Sequence, residues 1–253
     1  MSLESTFRNH IATSLGEWVA PDSPHYASTL DFALGRFEEG RQLAEFFKRR
    51  GVSGRVLDIG AGNGGVSLAM ADDASFDVTG IDVVLNREFY SLRKNVATPA
   101  KQVTGTGHAL PFASSSFDVV LCLETIEHVP QPELLGPEIM RVLKPGGLCM
   151  ITTPPRLRYW FRRDPHYAIP GLLVLPDPLQ HWLGARLLPK RESYDVVHIF
   201  WHVREITRLL GDGAEVEVLW NHHYTGPTSI RERLWWRFRH FLWDRIVVKK
   251  LSA

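Results

Sequence analysis

Residues 56–65, VLDIGAGNGG, constrain the fold of this chain more than any other stretch. A short apolar run ends in closely spaced glycines, and a helical pattern, GVSLAMADD at 65–73, begins at once. That reads as a strand leaving a core, a tight turn, and a helix returning beside it. The pattern recurs. RVLDIG (55–60), FDVTGID (76–82), KQVTGT (101–106), FDVVLCLE (117–124) and GGLCMITTP (146–154) read as strands, with helical segments near 86–95 and over 131–143. Further on, HVREITRLLG (202–211) predicts a helix, and AEVEVLW (214–220) and RIVVKK (245–250) predict two more strands. Strands alternating with helices imply an α/β fold: a doubly wound, mostly parallel seven-stranded sheet with helices on both faces. Such a sheet binds ligands at the carboxyl ends of its strands, here Asp58 to Gly60, Asp82, Thr106, Glu124 and Thr153.

The glycine turn carries the chemistry. Glycine tolerates positive φ and lets a ligand approach the backbone closely, and a helix N-terminus offers unpaired N–H groups. Gly60, Gly62 and Gly65 also satisfy the G-x-G-x-x-G spacing of dinucleotide sites. Asp82, ending the second strand, can accept hydrogen bonds from ribose hydroxyls in either case, or can simply cap a helix. Asp58 discriminates. An acid just before the glycines repels a pyrophosphate and suits a cationic ammonium group, as in the methionine end of S-adenosylmethionine. The bland alternative is a tight turn with no ligand.

Other segments divide the single expected domain. Residues 1–28 show no clean period, while 29–50 place Leu30, Leu34, Phe37, Ala44 and Phe47 at helical spacings. Residues 1–50 are therefore read as N-terminal cap helices, with Asp31, Glu38 and Glu39 solvated. The cofactor-binding core is 51–154, an inserted substrate lid is 155–198, and 199–253 adds core elements and a basic aromatic helix. The lid reading rests on the loss of alternation for over forty residues after Pro155. Seven of the eight tryptophans lie beyond residue 154, so the last third differs in character from the core. The stretch 229–250 places Ile230, Leu234, Phe238 and Ile246 on one helical face among seven Lys/Arg. It reads as a helix packed on the domain, as a peripheral membrane-surface element, or as an RNA grip. Net charge is 29 − 28 = +1, which argues against nucleic acid. Cys122 and Cys149 fall inside adjacent strands and read as buried thiols, so a reducing, cytoplasmic setting is expected. The N-terminus lacks the apolar stretch of a signal peptide, and no apolar run approaches the ~18 residues of a membrane span.

Taken in order, VLDIGAGNG, GID, ALPFASSSFDVVLC and EIMRVLKPGGLCMITTP resemble the motifs of class I S-adenosylmethionine-dependent methyltransferases, nearest the ubiquinone- and menaquinone-pathway branch. The resemblance covers roughly 40–154 and, more loosely, 198–220. It implies a Rossmann-like fold with an inserted lid and S-adenosyl-L-methionine as cofactor. Asp58 with Gly60, Ala61, Gly62, Asn63 and Gly64 would hold the methionine moiety, Asp82 the ribose, and Val83 the adenine. Gly107 and His108 would reach the ring through their backbone, and Leu123 and Glu124 would complete the cofactor set. Thr106 stands where the family usually carries an acid for the adenine amino group.

One cluster is left open. Glu124, Glu127 and His128, in LETIEHVP, share one face if the segment is helical. With His198 they could ligate a divalent cation such as Mg, which would lower a hydroxyl's pKa and orient it. Glu127 or His128 could instead be a general base without metal, since imidazole changes charge near neutral pH. The third reading is that Glu127 and His128 only shape the loop. The activity expected is methyl transfer, with oxygen the preferred nucleophile, to a small-molecule, lipid-linked or glycan hydroxyl. The alternatives are C- or N-methylation, RNA 2′-O-methylation, a non-catalytic cofactor-binding protein, and a nucleotide-dependent oxidoreductase, against which Asp58 argues.

Overall fold

The structure, a computed structural model, describes residues 2–17, 19–160, 169–187, 198–219 and 245–251. Its strands are β1 (Gly54–Ile59), β2 (Phe76–Asp82), β3 (Lys101–Thr104), β4 (Phe117–Leu123), β5 (Leu143–Thr152), β6 (Ala214–Leu219) and β7 (Arg245–Lys250). They form one seven-stranded sheet in the order β3-β2-β1-β4-β5-β7-β6. β1 pairs in parallel with β2, and β2 with β3, whereas β6 and β7 are antiparallel. The mostly parallel sheet matches the expected doubly wound class, and the order of the chain reverses between β1 and β4.

The helices are α1 (Leu3–Gly16), α2 (Pro24–Arg49), α3 (Gly65–Ala71), α4 (Arg87–Leu92), α5 (Pro132–Val142), α6 (Asp177–Leu187) and α7 (Val203–Leu210). The chain divides into two compact units, Met1–Leu121 with Val142–Leu148, and Cys122–Arg141 with Cys149–Ala253.

In the first unit the core is aromatic. Phe7 of α1 stacks on Phe37 of α2 with centroids 5.0 Å apart, and Phe47, Phe76, Phe89 and Phe117 are fully buried. The region 1–28, where no period is evident, holds α1: Ser2 caps it by accepting from the Ser5 N–H, and only Phe7 and Ile11 are buried. Two buried residues in fourteen leave almost no periodic signal. α2 begins five residues earlier than the pattern implies, because Ser23 caps it and Pro24 occupies its first position. Its close approach to α3 depends on Gly40. A Cβ there would lie 2.6 Å from the Val66 carbonyl oxygen and 2.8 Å from the Ala69 Cβ. At the other end of β1, the Asp118 carboxylate accepts from the Arg55 N–H (2.8 Å) and from Lys144 Nζ (2.8 Å), tying the starts of three strands together.

In the second unit, α5 meets α7 at Gly136, where a Cβ would fall 2.0 Å from the Leu209 carbonyl oxygen. α7 opens with a capping box in which His202 accepts from the Arg204 N–H and Glu205 accepts from the His202 N–H. Lys250 Nζ of β7 donates to the Met140 carbonyl of α5 (2.7 Å). Cys122 and Cys149 are both buried and neither is in a disulfide, as expected; burial pushes the Cys149 thiol up.

The described residues of 155–198 include α6 and single 3-10 turns at Arg156–Tyr159 and Leu172–Val174. Leu172 and Leu173 nucleate a small core there with Ile169, Leu175, Leu183 and Ile199. Of the two readings of 245–250 the strand holds and the helix does not: Arg245–Lys250 is β7, with Arg245 to Val248 buried; residues 229–244 lie outside the described residues. No described helix is long and apolar enough to cross a membrane.

Packing at Gly40 has a measurable consequence. Gly40→Ala is expected to lower the unfolding free energy by about 1–3 kcal/mol, the usual scale of overpacking, read as a reduced denaturation midpoint. An unchanged midpoint would mean that α2 and α3 are not held at this distance.

Candidate cofactor and active site

The glycine turn is built by packing as much as by freedom of φ. Gly62 (φ 51°) and Gly64 (φ 82°) sit in the left-handed region that other residues avoid. Gly64 is also pressed against Phe89 of α4, where a Cβ would be 2.5 Å from the ring Cγ. Gly62 differs: nothing lies within 4 Å of the Cβ position, so its backbone faces open space. The turn is laced to β2. The Gly60 and Ala61 N–H groups donate to the Ile81 carbonyl (2.8 and 3.2 Å), and the Gly62 N–H donates to the Asp82 carboxylate (2.9 Å). Asn63 accepts from the Gly65 N–H (3.1 Å) at the entry to α3.

Asp82 therefore does not cap α4, a role taken by Asn86, which accepts from the Glu88 and Phe89 N–H groups. Its two oxygens take the Gly62 and Val84 N–H groups and orient the carboxylate beside the turn. Immediately after it, Val83, Val84 and Leu85 are exposed. In the loop after β3, Gly105 donates to the Asp82 carbonyl (2.9 Å), and the buried Nε2 of His108 has no hydrogen-bond partner among the described residues.

Asp58 is the most perturbed acid of the site. It is buried at the end of β1, and burial pushes its carboxyl up to about 6, opposed by the Ser67 hydroxyl and the Arg36 guanidinium. Ser67 Oγ donates to Asp58 at 2.6 Å. Arg36 and Glu39 form an ion pair on α2, both largely shielded, so Glu39 is not the solvated acid expected. The Arg36 Cβ would lie 3.3 Å from a Cβ on Gly65, which places this pair at the start of α3. Sequence reasoning missed Arg36 and Ser67. An Arg–Glu pair at i, i+3 looks like any solvated helix face, while Ser67, in the first turn of α3, was a signal within reach.

In the second unit, the cluster 124–128 does not assemble as a ligand set. Among the described residues no three His, Cys, Asp or Glu side chains are grouped to hold a metal ion. The reason is local. The segment is a single 3-10 turn, Ile126–His128, rather than an α-helix, so the i, i+3, i+4 face does not form. Glu127 is buried, whereas Glu124 and His128 are exposed. His198 acts as a brace: its N–H donates to the Glu127 carbonyl (3.0 Å), and its Nε2 lies 3.3 Å from the Pro130 carbonyl. Leu123 is buried in β4, and its carbonyl accepts from Thr125 Oγ1.

Glu124 is exposed with φ 52°, a left-handed conformation that costs a non-glycine residue about 1–3 kcal/mol. Its N–H donates to both the carbonyl (2.9 Å) and the hydroxyl (3.0 Å) of Thr152, which hold the strained backbone in place. Strain of this kind concentrates at functional positions.

Comparison with known proteins gives the class. Residues 57–151 match the model of a methyltransferase domain family. The chain carries a class I methyltransferase domain of the S-adenosylmethionine-dependent kind. Among curated relatives, the ubiquinone biosynthesis O-methyltransferase of Pseudomonas aeruginosa (strain UCBPP-PA14) is 39% identical over 111 residues, covering 42% of this chain and 47% of that protein. The 2-methyl-6-phytyl-1,4-hydroquinone methyltransferase of Synechocystis is 36% identical over 113 residues, covering 43% of this chain and 33% of that protein. The matched part thus spans a third to under half of these relatives. The PH0226 protein of Pyrococcus horikoshii OT3 shares the fold, with a TM-score of 0.55 at 19% identity over 93% of this chain and 95% of that one.

The environment of Asp58 predicts a pH dependence. Burial holds its carboxyl at about 6 in the folded chain against 3.8 for a carboxyl in water, so the native state retains a proton across that interval. Stability from this group is complete below the lower value and is lost as pH rises through the upper one. Relative to Asp58→Asn, the wild-type unfolding free energy is expected to fall by about 1.4 kcal/mol per pH unit between those values and then level off. Parallel profiles for the two proteins in urea titrations would refute the buried, proton-retaining carboxyl.

Proposed function

We propose that this protein is an S-adenosylmethionine-dependent O-methyltransferase acting on the hydroxyl of a small, apolar or lipid-linked acceptor. The observation that carries the reading is the buried Asp58 beneath a glycine turn whose Gly62 backbone faces open space. When bound, the cofactor supplies an electrophilic sulfonium methyl. An ionised Asp58 suits its cationic ammonium group and disfavours a pyrophosphate. Arg36 of α2, beside Gly65 at the start of α3, would meet the opposite charge of the same amino-acid moiety. Asp82, already oriented by two N–H groups, has lone pairs left for ribose hydroxyls. The exposed Val83 offers an apolar face to adenine, and the orphan Nε2 of His108 offers a polar contact. At the carboxyl end of β4, Leu123 and the Glu124 that follows it complete the cofactor set in this reading.

The four residues considered for a divalent cation do not fit that role as they stand, and no step is assigned to a metal. The protein's remaining work is positioning and removal of one proton. We assign proton removal to His128, which is exposed on the 3-10 turn after β4, while buried Glu127 and the brace from His198 hold the turn. An acceptor carrying a phenolic hydroxyl and an apolar tail suits the relatives, one an O-methyltransferase of ubiquinone biosynthesis and one a methyltransferase of 2-methyl-6-phytyl-1,4-hydroquinone. Contact of the basic aromatic residues that precede β7, 229–244, with a membrane surface is compatible with such an acceptor.

A radiolabelled methyl-transfer screen over phenolic, prenylated, glycan and RNA acceptors tests the reading. On the acceptor found, His128→Ala is expected to lower kcat by about a hundredfold or more while leaving S-adenosylhomocysteine affinity unchanged. Full activity in this variant would remove His128 from proton transfer.

A further inference from the structure

Among the described residues, two other than glycine have positive φ, Ser115 and Glu124. Ser115 is exposed in the turn that leads into β4, where the chain merely changes direction. Glu124 is placed differently. It follows β4, a strand flanked by β1 and β5 in the interior of the sheet. A glycine there would reach the left-handed region without a Cβ clash. Glutamate keeps the strain and brings an exposed carboxylate to the end of the strand. That carboxylate is what the strained position holds and a glycine would not.

The group that holds it belongs to β5. The Glu124 N–H is shared between two acceptors of one residue, the Thr152 carbonyl at 2.9 Å and the Thr152 Oγ1 at 3.0 Å. The carbonyl contact is open to any residue at 152, since every residue carries that acceptor. The hydroxyl contact needs serine or threonine. Thr152 is buried at the end of β5, so water does not compete for this hydrogen bond. The chain on either side of Glu124 is tied as well: Thr125 Oγ1 donates to the Leu123 carbonyl (3.1 Å). Two hydroxyls thus frame one strained residue, and only that of Thr152 bonds to it directly.

We infer that Thr152 is a positioning residue whose hydroxyl fixes the left-handed backbone of Glu124 and so presents the Glu124 carboxylate to the cofactor. This rests on the reading of Glu124 as part of the cofactor set, and adds to it the group that sets its geometry.

Titration calorimetry of the full chain with S-adenosylhomocysteine tests it. Thr152→Val removes the hydroxyl and keeps the shape; it is expected to weaken binding by about fivefold, the net scale of one hydrogen bond. Thr152→Ser is expected to bind like the wild type. Glu124→Ala weakens binding, and Thr152→Val adds no further loss in that background, because the two residues act as one unit. Glu124→Gly gives a readout that does not depend on the threonine variants. It is expected to melt no lower than the wild type, being relieved of strain, yet to bind more weakly. The inference is overturned if Thr152→Val binds as tightly as the wild type, or if Glu124→Gly does. An equal loss from Thr152→Val with and without Glu124 also overturns it, and makes Thr152 a packing residue of β5. A wild type that does not bind S-adenosylhomocysteine overturns the cofactor reading, and this inference with it.

Discussion

The arrangement around β1 depends on a carboxylate that the fold buries. Asp58 sits at the carboxyl end of a strand whose neighbours are apolar, and removing a charge from water is costly unless other groups compensate. Two neighbours offset that cost. Ser67 brings a hydroxyl from the first turn of α3 and Arg36 a positive charge from α2, while Asp82 and Glu39 add like charge that raises the cost. Each requires a close approach. α2 reaches α3 only because Gly40 has no side chain, and the turn lies flat against Phe89 only because Gly64 has none. Small residues and one buried acid thus form a single device, in which packing positions the charge.

That device explains which parts of the molecule were readable beforehand. Apolar runs ending in glycine or acid gave the five consecutive strands to within a few residues, because buried parallel strands leave a strong composition signal. Asp58 and the glycine turn were equally visible. For α1 only its place among the N-terminal cap helices was visible, not its bounds, since a helix that buries only Phe7 and Ile11 has no period to detect. Nor was the 3-10 turn at Ile126–His128. Three residues cannot show whether three or 3.6 of them make a turn, yet that difference separates Glu127 from Glu124 and His128. Arg36 escaped because an ion pair at helical spacing carries the same pattern on a solvated face as against an active-site loop.

The stretch after Pro155 shows the converse case. Its loss of alternation pointed to an inserted lid and gave no elements within it, yet Leu172, Leu173, Leu183 and Ile199 form a small core there. Buried Arg156 helps to bind it: the guanidinium donates to the Leu175 carbonyl (3.3 Å) and stacks on Trp201 (5.1 Å), while its N–H donates to the Phe200 carbonyl (3.0 Å). The shared fold does not name the acceptor, because one α/β scaffold hosts many chemistries; those belong to the side chains at each strand end.

The central claim is that the glycine turn with Asp58 and Asp82 is a site for S-adenosylmethionine rather than for a dinucleotide. Titration calorimetry of the protein with S-adenosylhomocysteine and, separately, with NAD tests it most directly. The account predicts saturable binding of S-adenosylhomocysteine, weakened in Asp82→Ala, and no heat with NAD. Binding of NAD without binding of S-adenosylhomocysteine would contradict it.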